Sequence, residues 1–179
     1  MNIIFETPRL YFREFTVDDV QLLFNLNNNP NVIKYVHELP PTTENTTNTL
    51  LNIILPQYKL YGYGRWAVYQ QSDDHFVGWC GLKFLEENNE IDLGYRFKEE
   101  YWNKGYGYEA ANATIDYGFN VLKLSAIYAR ALPGNIASLK IMEKCGMQYV
   151  GDVIDTDELM VKKYVIGNDQ LTAKPTSTF

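Results

Sequence analysis

Alternation between apolar and polar residues predicts the strands of this chain, and it is most regular in residues 90–97. There, apolar side chains alternate with polar residues or glycine: Ile91, Leu93, Tyr95 and Phe97 on one side against Glu90, Asp92, Gly94 and Arg96 on the other. Similar patterns predict strands at residues 7–15, 65–70, 76–84, 125–131, 147–154 and 158–166. We expect the apolar side of residues 90–97 to be buried and the carboxylates to lie on the opposite face.

Apolar residues at helical spacing predict two helices in the first third of the chain. The first begins at Thr16, because the sequence from Thr16 to Asp19 is a capping box. The second begins at Thr42 or Thr43, and Pro56 ends or kinks it. Each of these helices buries one apolar stripe.

Two further helices follow the regular strand. One runs from Gly105 to about Leu122, and its core stripe consists of Ala111, Ile115, Phe119 and Leu122. The other follows a turn at Asn135 and ends at Gly146, a glycine expected in the left-handed conformation.

The predicted order of elements is β-αα-βββ-α-β-α-ββ, which is an α+β fold with a mixed sheet flanked by helices. The chain has 179 residues, of which 46% are hydrophobic and 21% are charged, as in one globular domain rather than a disordered protein. We expect this domain to span residues 7–166. Residues 167–179 are polar, and we expect a mobile tail there.

The net charge of −6 and the pI of about 4.9 argue against nucleic acid as a partner. An acidic protein suits a cationic substrate such as an amine, although negative charge also simply keeps proteins soluble. Cys80 and Cys145 are far apart among apolar residues, which predicts buried free thiols, a reducing compartment and no metal site. We found neither a signal peptide nor an apolar segment of membrane-spanning length, so we expect a soluble cytoplasmic protein.

The segment after residues 90–97 is rich in glycine and opens the third helix. Asn103 and Lys104 precede Gly105 and Gly107, so several backbone N–H groups converge at a helix start, where an anion is attracted. This pattern is neither the three-glycine dinucleotide motif nor a P-loop. It predicts a cradle for a pyrophosphate, the alternative being a turn that needs glycine for its geometry alone.

Several short motifs together resemble the GNAT superfamily of acetyltransferases, and its RimJ/RimL-type branch in particular. They are TPRLYFR at residues 7–13, DLGYRF at 92–97, WNKGYGYEA at 102–110, NIAS at 135–138 and EKCGM at 143–147. The resemblance covers residues 7–166 in the expected order. It implies a GNAT-like, mostly antiparallel sheet and acetyl-coenzyme A as co-substrate, with no metal.

The resemblance also implies how the co-substrate is held. The pyrophosphate would lie on backbone amides of the glycine turn, the pantetheine arm beside the strand ending at Phe97, and Asn135 would bond to that arm. Lysine side chains would meet the phosphates. The implied cofactor-binding residues are Arg96, Phe97, Trp102, Asn103, Lys104, Gly105, Tyr106, Gly107, Tyr108, Asn135 and Lys144.

Two positions depart from the family pattern. The glycine motif usually begins with Gln or Arg, but here it begins with Trp102, so backbone donors must carry more of the phosphate binding. Many relatives have a tyrosine acid where this chain has Met142. Ser138 is the remaining hydroxyl for that role, and the alternative is that it caps the first turn of its helix.

Transfer of an acetyl group to an amine needs a neutral amine, a donor to the oxyanion and a proton for the thiolate. Asp92 is the candidate base, with a backbone N–H near Phe97 as the oxyanion donor. Glu90 and His37 are candidate substrate-binding residues. The alternatives are that Asp92 only orients the amine, that Glu90 and Asp92 form a solvated strand face, and that His37 is a loop residue without function.

The resulting hypothesis is an N-acetyltransferase that acts in a ternary complex on a primary amine, either a small molecule or a protein N-terminus. The competing hypothesis is a catalytically weak or inactive coenzyme A-binding module on the same fold, which the departures at Trp102 and Met142 would suit. Neither nucleic acid nor a membrane is an expected partner. The sequence leaves monomer and homodimer open.

Overall fold

The computed structural model describes residues 2–36, 40–155 and 158–168 of the chain. Within these residues, eight strands form one sheet in the order β1-β2-β3-β4-β5-β6-β8-β7. The strands are β1 (Ile3–Glu6), β2 (Leu10–Arg13), β3 (Arg65–Gln70), β4 (Phe76–Leu85), β5 (Glu90–Phe97), β6 (Ala126–Ala131), β7 (Gln148–Ile154) and β8 (Met160–Gly167). The helices are α1 (Val20–Asn27), α2 (Pro30–Ile33), α3 (Thr43–Thr49), α4 (Leu55–Tyr61), α5 (Tyr106–Asn120) and α6 (Ile136–Lys144).

All neighbouring strands pair antiparallel except β5 and β6, which pair parallel. A parallel pair needs a crossover connection, and α5 supplies it between these two strands. The prediction of a mixed, mostly antiparallel α+β sheet is thereby confirmed.

The sheet has an apolar core on each face. One core lies under α5 and α6 and contains the predicted stripe residues Ala111, Ile115 and Phe119 together with Leu93 and Phe97 of β5. The other core lies under the helices that precede β3, and includes residues of α1 and of the turn between α3 and α4. The alternation in β5 therefore separates a buried apolar side from a polar side, as predicted.

Three local predictions from the first third of the chain were incomplete or wrong. Residues 7–15 do not form one strand, because a turn in which Thr7 N donates to Leu10 O separates β2 from the unpredicted β1. Helix α2 was not predicted either. Pro56 does not end the second helix, because helical residues continue from a π-helical turn at Leu50–Ile54 into α4, which has Pro56 in its first turn. This irregular turn beside Pro56 accords with the alternative expectation of a kink.

The predicted helix signals at Thr16 and Gly146 are confirmed. Thr16 N donates to Asp19 Oδ2 at 2.7 Å in a capping box. Gly146 has a φ of 85°, and its N–H donates to Glu143 O at 2.9 Å after α6. The predicted tail at residues 167–179 lies outside the described residues from position 169 onward.

Candidate active site

The glycine turn leads directly into α5. Asn103 and Gly105 have positive φ values of 57° and 83°, and Gly105 is the N-cap residue of the helix. The N–H of Glu109 donates to Gly105 O, so the N–H groups before it in the helix lack an intrahelical acceptor. The turn thus presents backbone donors at the positive end of a 15-residue helix, as an anion site requires.

The two glycines serve different purposes. Gly105 is required by its left-handed backbone conformation. At Gly107, an added Cβ would lie 2.9 Å from Ile141 Cδ1 of α6, so this glycine allows α5 and α6 to approach each other. The room that these glycines would leave for a phosphate stays a prediction from the sequence.

Side chains around the turn hold its shape. Trp102 Nε1 donates to Phe97 O at 2.8 Å, so the indole ties the turn to the end of β5. The Lys104 ammonium lies 5.5 Å from the centre of the Tyr101 ring, beside a surface pocket of about 440 Å³ that His75 also lines. Tyr106 is 7% exposed, so its side chain belongs to the core and only its backbone faces the turn.

The first motif of the chain anchors the glycine turn, a link that sequence reasoning missed. Arg9 Nε lies 2.6 Å from Glu109 Oε2, and Arg9 Nη1 donates to Lys104 O at 2.9 Å. The Arg9 guanidinium also lies over the Tyr106 ring, 4.3 Å from its centre. Thr7 Oγ1 donates to Glu109 Oε1 at 2.6 Å, so the Glu109 carboxylate binds side chains 100 or more residues away along the chain.

The parallel strands β5 and β6 open beside this turn, because their backbones pair at one position only, Asp92 opposite Tyr128. Lys98 N donates to Val77 O of β4, and successive N–H groups along a strand point to opposite edges. The N–H of Phe97 therefore points away from β4, toward the opening. This orientation suits the predicted oxyanion or pantetheine donor.

Helix α6 borders the opening and brings Ser138 to β5. The Ser138 hydroxyl lies 2.8 Å from the Tyr95 hydroxyl, while Asn135 Oδ1 accepts a bond from Ser138 N at 3.2 Å and caps the helix. The capping group is therefore Asn135 rather than the Ser138 hydroxyl. Met142 is 2% exposed and belongs to the core.

Tyr95 is the functional candidate that the sequence did not reveal, because its position in the alternation predicted only a core residue. Burial raises the pKa of Tyr95 well above its ordinary value, so the phenol stays protonated. Its hydroxyl is bonded to Ser138, which gives that serine a protonated neighbour. The only signal in the sequence was a tyrosine on the apolar side of residues 90–97, the strand that precedes the glycine turn.

The other end of α6 reaches the glycine turn. The Lys144 ammonium lies 4.0 Å from the centre of the Tyr108 ring, in the first turn of α5. The structure thus places Lys144 beside the first turn of α5, and its contact with a phosphate stays a prediction. Helix α6 runs from the Tyr95–Ser138 pair to this site.

The carboxylates on the polar side of β5 are paired with cations. Arg130 Nη1 donates to Asp92 Oδ1 at 2.7 Å, and Glu90 is bonded to Arg130 and Lys163. The Glu90 and Asp92 side chains are only 12% and 17% exposed, so the alternative of a solvated strand face is wrong. Burial raises the pKa of Asp92 above its ordinary value, and the guanidinium of Arg130 opposes that rise.

Two predicted residues remain: Arg96 lies on the same polar side of β5 as Glu90 and Asp92, and His37 lies outside the described residues. Arg96 Nη1 donates to Asn27 Oδ1 of α1 at 2.6 Å, so its side chain turns away from the glycine turn. A small pocket of about 110 Å³ adjoins Arg130 and is also lined by Tyr35 and Asp155.

The described residues, 2–36, 40–155 and 158–168, contain neither a metal site nor a membrane-spanning helix. No group of three or more His, Cys, Asp or Glu side chains is placed to hold a metal ion there. None of the helices in this part of the chain is both long and apolar enough to cross a membrane. Cys80 and Cys145 are buried free thiols, as predicted.

Comparison with known proteins agrees with this geometry. The family model for the acetyltransferase (GNAT) domain matches residues 9–148. The uncharacterized protein YkkB of Bacillus subtilis is 34% identical over 146 residues, which are 80% of this chain and 84% of YkkB.

Solved structures share the fold. A GNAT-family acetyltransferase structure from Bacillus anthracis, 29% identical, superposes with a TM-score of 0.77 over 94% of this chain and 99% of its own. Spermidine N-acetyltransferase from Vibrio cholerae, solved with CoA and spermine, shares the fold at 22% identity, with a TM-score of 0.76 and coverage of 93% and 99%. The chain therefore belongs to the GNAT family of acetyltransferases.

Proposed function

We propose that this N-acetyltransferase transfers an acetyl group from acetyl-coenzyme A directly to a primary amine within a ternary complex. The acceptor is a small amine or a protein N-terminus. The observation that carries this proposal is the arrangement of α6, which runs from the Tyr95–Ser138 pair beside the β5–β6 opening to Lys144 at the glycine turn. Helix α6 thus has a candidate proton donor near one end and the candidate anion site near the other.

The residues of this border fit acetyl-coenzyme A. Backbone N–H groups between Asn103 and Tyr108 would hold the pyrophosphate, with Lys104 and Lys144 as nearby cations. The edge of β5 that faces the opening would hold the pantetheine arm, and Asn135, at the start of α6, would bond to that arm. The co-substrate supplies an acetyl thioester, which an amine can attack.

The chain supplies the remaining requirements of the reaction. The N–H of Phe97 points into the opening and donates to the carbonyl oxygen as negative charge develops on it. Ser138 donates its hydroxyl proton to the departing sulfur while the 2.8 Å bond to the Tyr95 hydroxyl holds the serine in place, and the amine nitrogen, on becoming an amide, releases the proton that returns to Ser138 through solvent. Such general acid catalysis contributes typically about 10²–10⁴-fold in rate.

The acceptor amine must reach its neutral form without Asp92 as a base, because Asp92 is already bonded to Arg130. At pH 7 about one α-amine in ten is neutral, since its pKa is about 7.7–8.0, whereas a lysine side chain with a pKa near 10.4 is almost fully charged. We infer that an α-amine or another amine of low pKa suits the site better than a lysine side chain.

Two finer assignments belong to the same proposal. Membership of the RimJ/RimL-type branch is supported by the sequence from Thr7 to Arg13 and by a serine at position 138. A cytoplasmic location is supported by the two buried cysteines, which carry free thiols.

The proposal is tested by binding and by turnover. Acetyl-coenzyme A at saturation should raise the melting temperature, because a ligand that binds only the folded protein stabilises it. A panel of primary amines should then release coenzyme A thiol. No thermal shift would contradict the assigned co-substrate, and a shift without thiol release for any amine would indicate binding without transfer.

The role of Ser138 is tested separately. Ser138→Ala should lower kcat by about 10²-fold while leaving the Kd for acetyl-coenzyme A near that of the wild type. Tyr95→Phe keeps the serine and should have a smaller effect on kcat. Lys123→Ala is the control variant, because Lys123 lies in a solvent-facing turn after α5. Cys145→Ser would not serve as a control, because Cys145 is buried. If Ser138→Ala retains the kcat of the wild type, Ser138 is not the general acid.

A further inference from the structure

The width of the β5–β6 opening is not fixed by backbone hydrogen bonds. β5 and β6 pair only at Asp92 and Tyr128, whereas β5 pairs with β4 along its whole length and β6 pairs likewise with β8. Each strand is therefore held firmly by its other neighbour. A contact beyond the single pair is needed to fix the two strands relative to each other.

A cluster of charged side chains supplies that contact. Arg130, two residues beyond Tyr128 on β6, donates from Nη1 to Asp92 Oδ1 at 2.7 Å and from Nη2 to Glu90. Lys163 of β8, which pairs opposite Arg130, also bonds to Glu90. The cluster thus links β5, β6 and β8 through two carboxylates and two cations.

The cluster is shielded from water, which makes its geometry effective. The exposed fractions of the side chains are 13% for Arg130, 12% for Glu90, 17% for Asp92 and 19% for Lys163. Hydrogen bonds between ionised groups are short and strong, and a guanidinium that bonds two carboxylates fixes both in one plane. Loss of Arg130 would leave Asp92 buried without its bonded cation, which is unfavourable, and would remove the side-chain bonds that join β6 to β5.

We propose that Arg130 is a positioning residue that fixes β6 against β5 and thereby sets the width of the opening that receives the pantetheine arm. Glu90 and Asp92 are its acceptors, and Lys163 neutralises the second charge of the cluster. This inference rests on the proposed binding of acetyl-coenzyme A in the opening. It assigns Asp92 to the architecture of the site instead of to proton transfer from the amine.

The two roles of Asp92 predict different kinetics. If Asp92 holds Arg130, then Asp92→Asn and Arg130→Met should both raise the Kd for coenzyme A and the KM for acetyl-coenzyme A by about tenfold or more, with a smaller fall in kcat. A tenfold rise in Kd corresponds to a loss of about 1.4 kcal/mol of binding free energy, which is the size of about one hydrogen bond. If Asp92 is the base, Asp92→Asn should lower kcat and leave the Kd for coenzyme A unchanged.

The experiment measures coenzyme A binding by titration calorimetry, together with KM and kcat, for wild type, Arg130→Met, Arg130→Lys and Asp92→Asn. Lys162→Met is the matched control, because Lys162 forms a more exposed ion pair with Asp152 at 3.4 Å, outside the cluster. Arg130→Lys retains one charge without the planar fork and should bind coenzyme A with intermediate affinity. If Arg130→Met does not fold, coenzyme A binding by Arg130→Lys still tests the proposal.

Folded Arg130 variants that bind coenzyme A like the wild type would overturn the proposal, as would a Lys162→Met variant that binds as weakly as Arg130→Met. An Asp92→Asn variant that loses kcat at an unchanged Kd would overturn it as well. Failure of the proposed function has a different signature, since the wild type itself would then show no binding of coenzyme A.

Discussion

The Arg9 anchor offers a sharp test of how the glycine turn is kept ready for an anion. Arg9→Met removes three contacts: the 2.6 Å ion pair to Glu109, the 2.9 Å bond to Lys104 O and the stacking on Tyr106 at 4.3 Å. Methionine keeps an unbranched apolar stem but no donor. Arg9 lies in the turn before β2, and the substitution keeps its backbone bonds, in which its N–H donates to Glu109 Oε1 and its carbonyl accepts from Gln71 N.

The expected loss of free energy follows from how exposed the Arg9–Glu109 ion pair is. A hydrogen bond to a charged group contributes about 1.5–3 kcal/mol when buried, whereas an exposed ion pair contributes about 0–1 kcal/mol. The Arg9 side chain is 44% exposed and the Glu109 side chain is 15% exposed, so we expect a loss of about 1–2 kcal/mol. If all of that energy holds the turn in its binding conformation, the Kd for coenzyme A rises by about 5- to 30-fold.

The assay is titration calorimetry with coenzyme A, with urea unfolding of the same samples. Arg9→Lys should recover only part of the affinity, because one ammonium cannot bond Glu109 and Lys104 O together in the geometry of a guanidinium. Lys162→Met serves again as the control for loss of a surface cation. An Arg9→Met variant that is less stable but binds coenzyme A with wild-type affinity would refute the reasoning, since the anchor would then serve folding alone.

Two other predictions concern the glycine turn and the first helix. Gly107→Val should weaken acetyl-coenzyme A binding more than Trp102→Gln does, because its side chain would press on Ile141 and move the start of α5; equal Kd values in calorimetry would contradict this. Burial acts to raise the pKa of Asp19, but the bonds from Arg13 and Thr16 outweigh it and hold that pKa below its ordinary value. The pair therefore stabilises the fold above about pH 4, and its contribution is lost as the pH falls below that value. Asp19→Asn should cost about 3 kcal/mol of unfolding free energy at pH 7, and less at pH 3, in urea titrations; a loss independent of pH would exclude the ion pair as its cause.

Features that depend on neighbours in sequence were predictable. The capping box at Thr16 joins residues three apart, and the left-handed Gly146 follows from the end of an apolar stripe. The alternation in β5 predicted which side chains share a face, because successive side chains of a strand point in opposite directions. Helix α2 and strand β1 were missed, since a segment of four residues is too short to show a period.

Contacts between distant segments could not be predicted in the same way. Arg9 and Glu109 are 100 residues apart, and Tyr95 and Ser138 are 43 residues apart. Both pairs depend on which strands become neighbours and on where a helix starts along the sheet, which no local pattern contains. The sequence motifs placed each of these segments near the site, but they did not reveal that the first motif supports the glycine turn.

The same limit applies to charge. A net charge of −6 suited a cationic substrate, although solubility explained it as well, and Glu90 and Asp92 were the acidic site candidates. In the structure both carboxylates are bonded to Arg130, and Glu90 also to Lys163, so these four side chains sum to zero formal charge. Overall charge acts at long range and is screened within about 8 Å at physiological ionic strength, whereas recognition of an amine depends on the groups that touch it. The acidity of the chain is therefore no evidence for a polyamine acceptor, and the choice among amines depends on pKa and on the groups that line the opening.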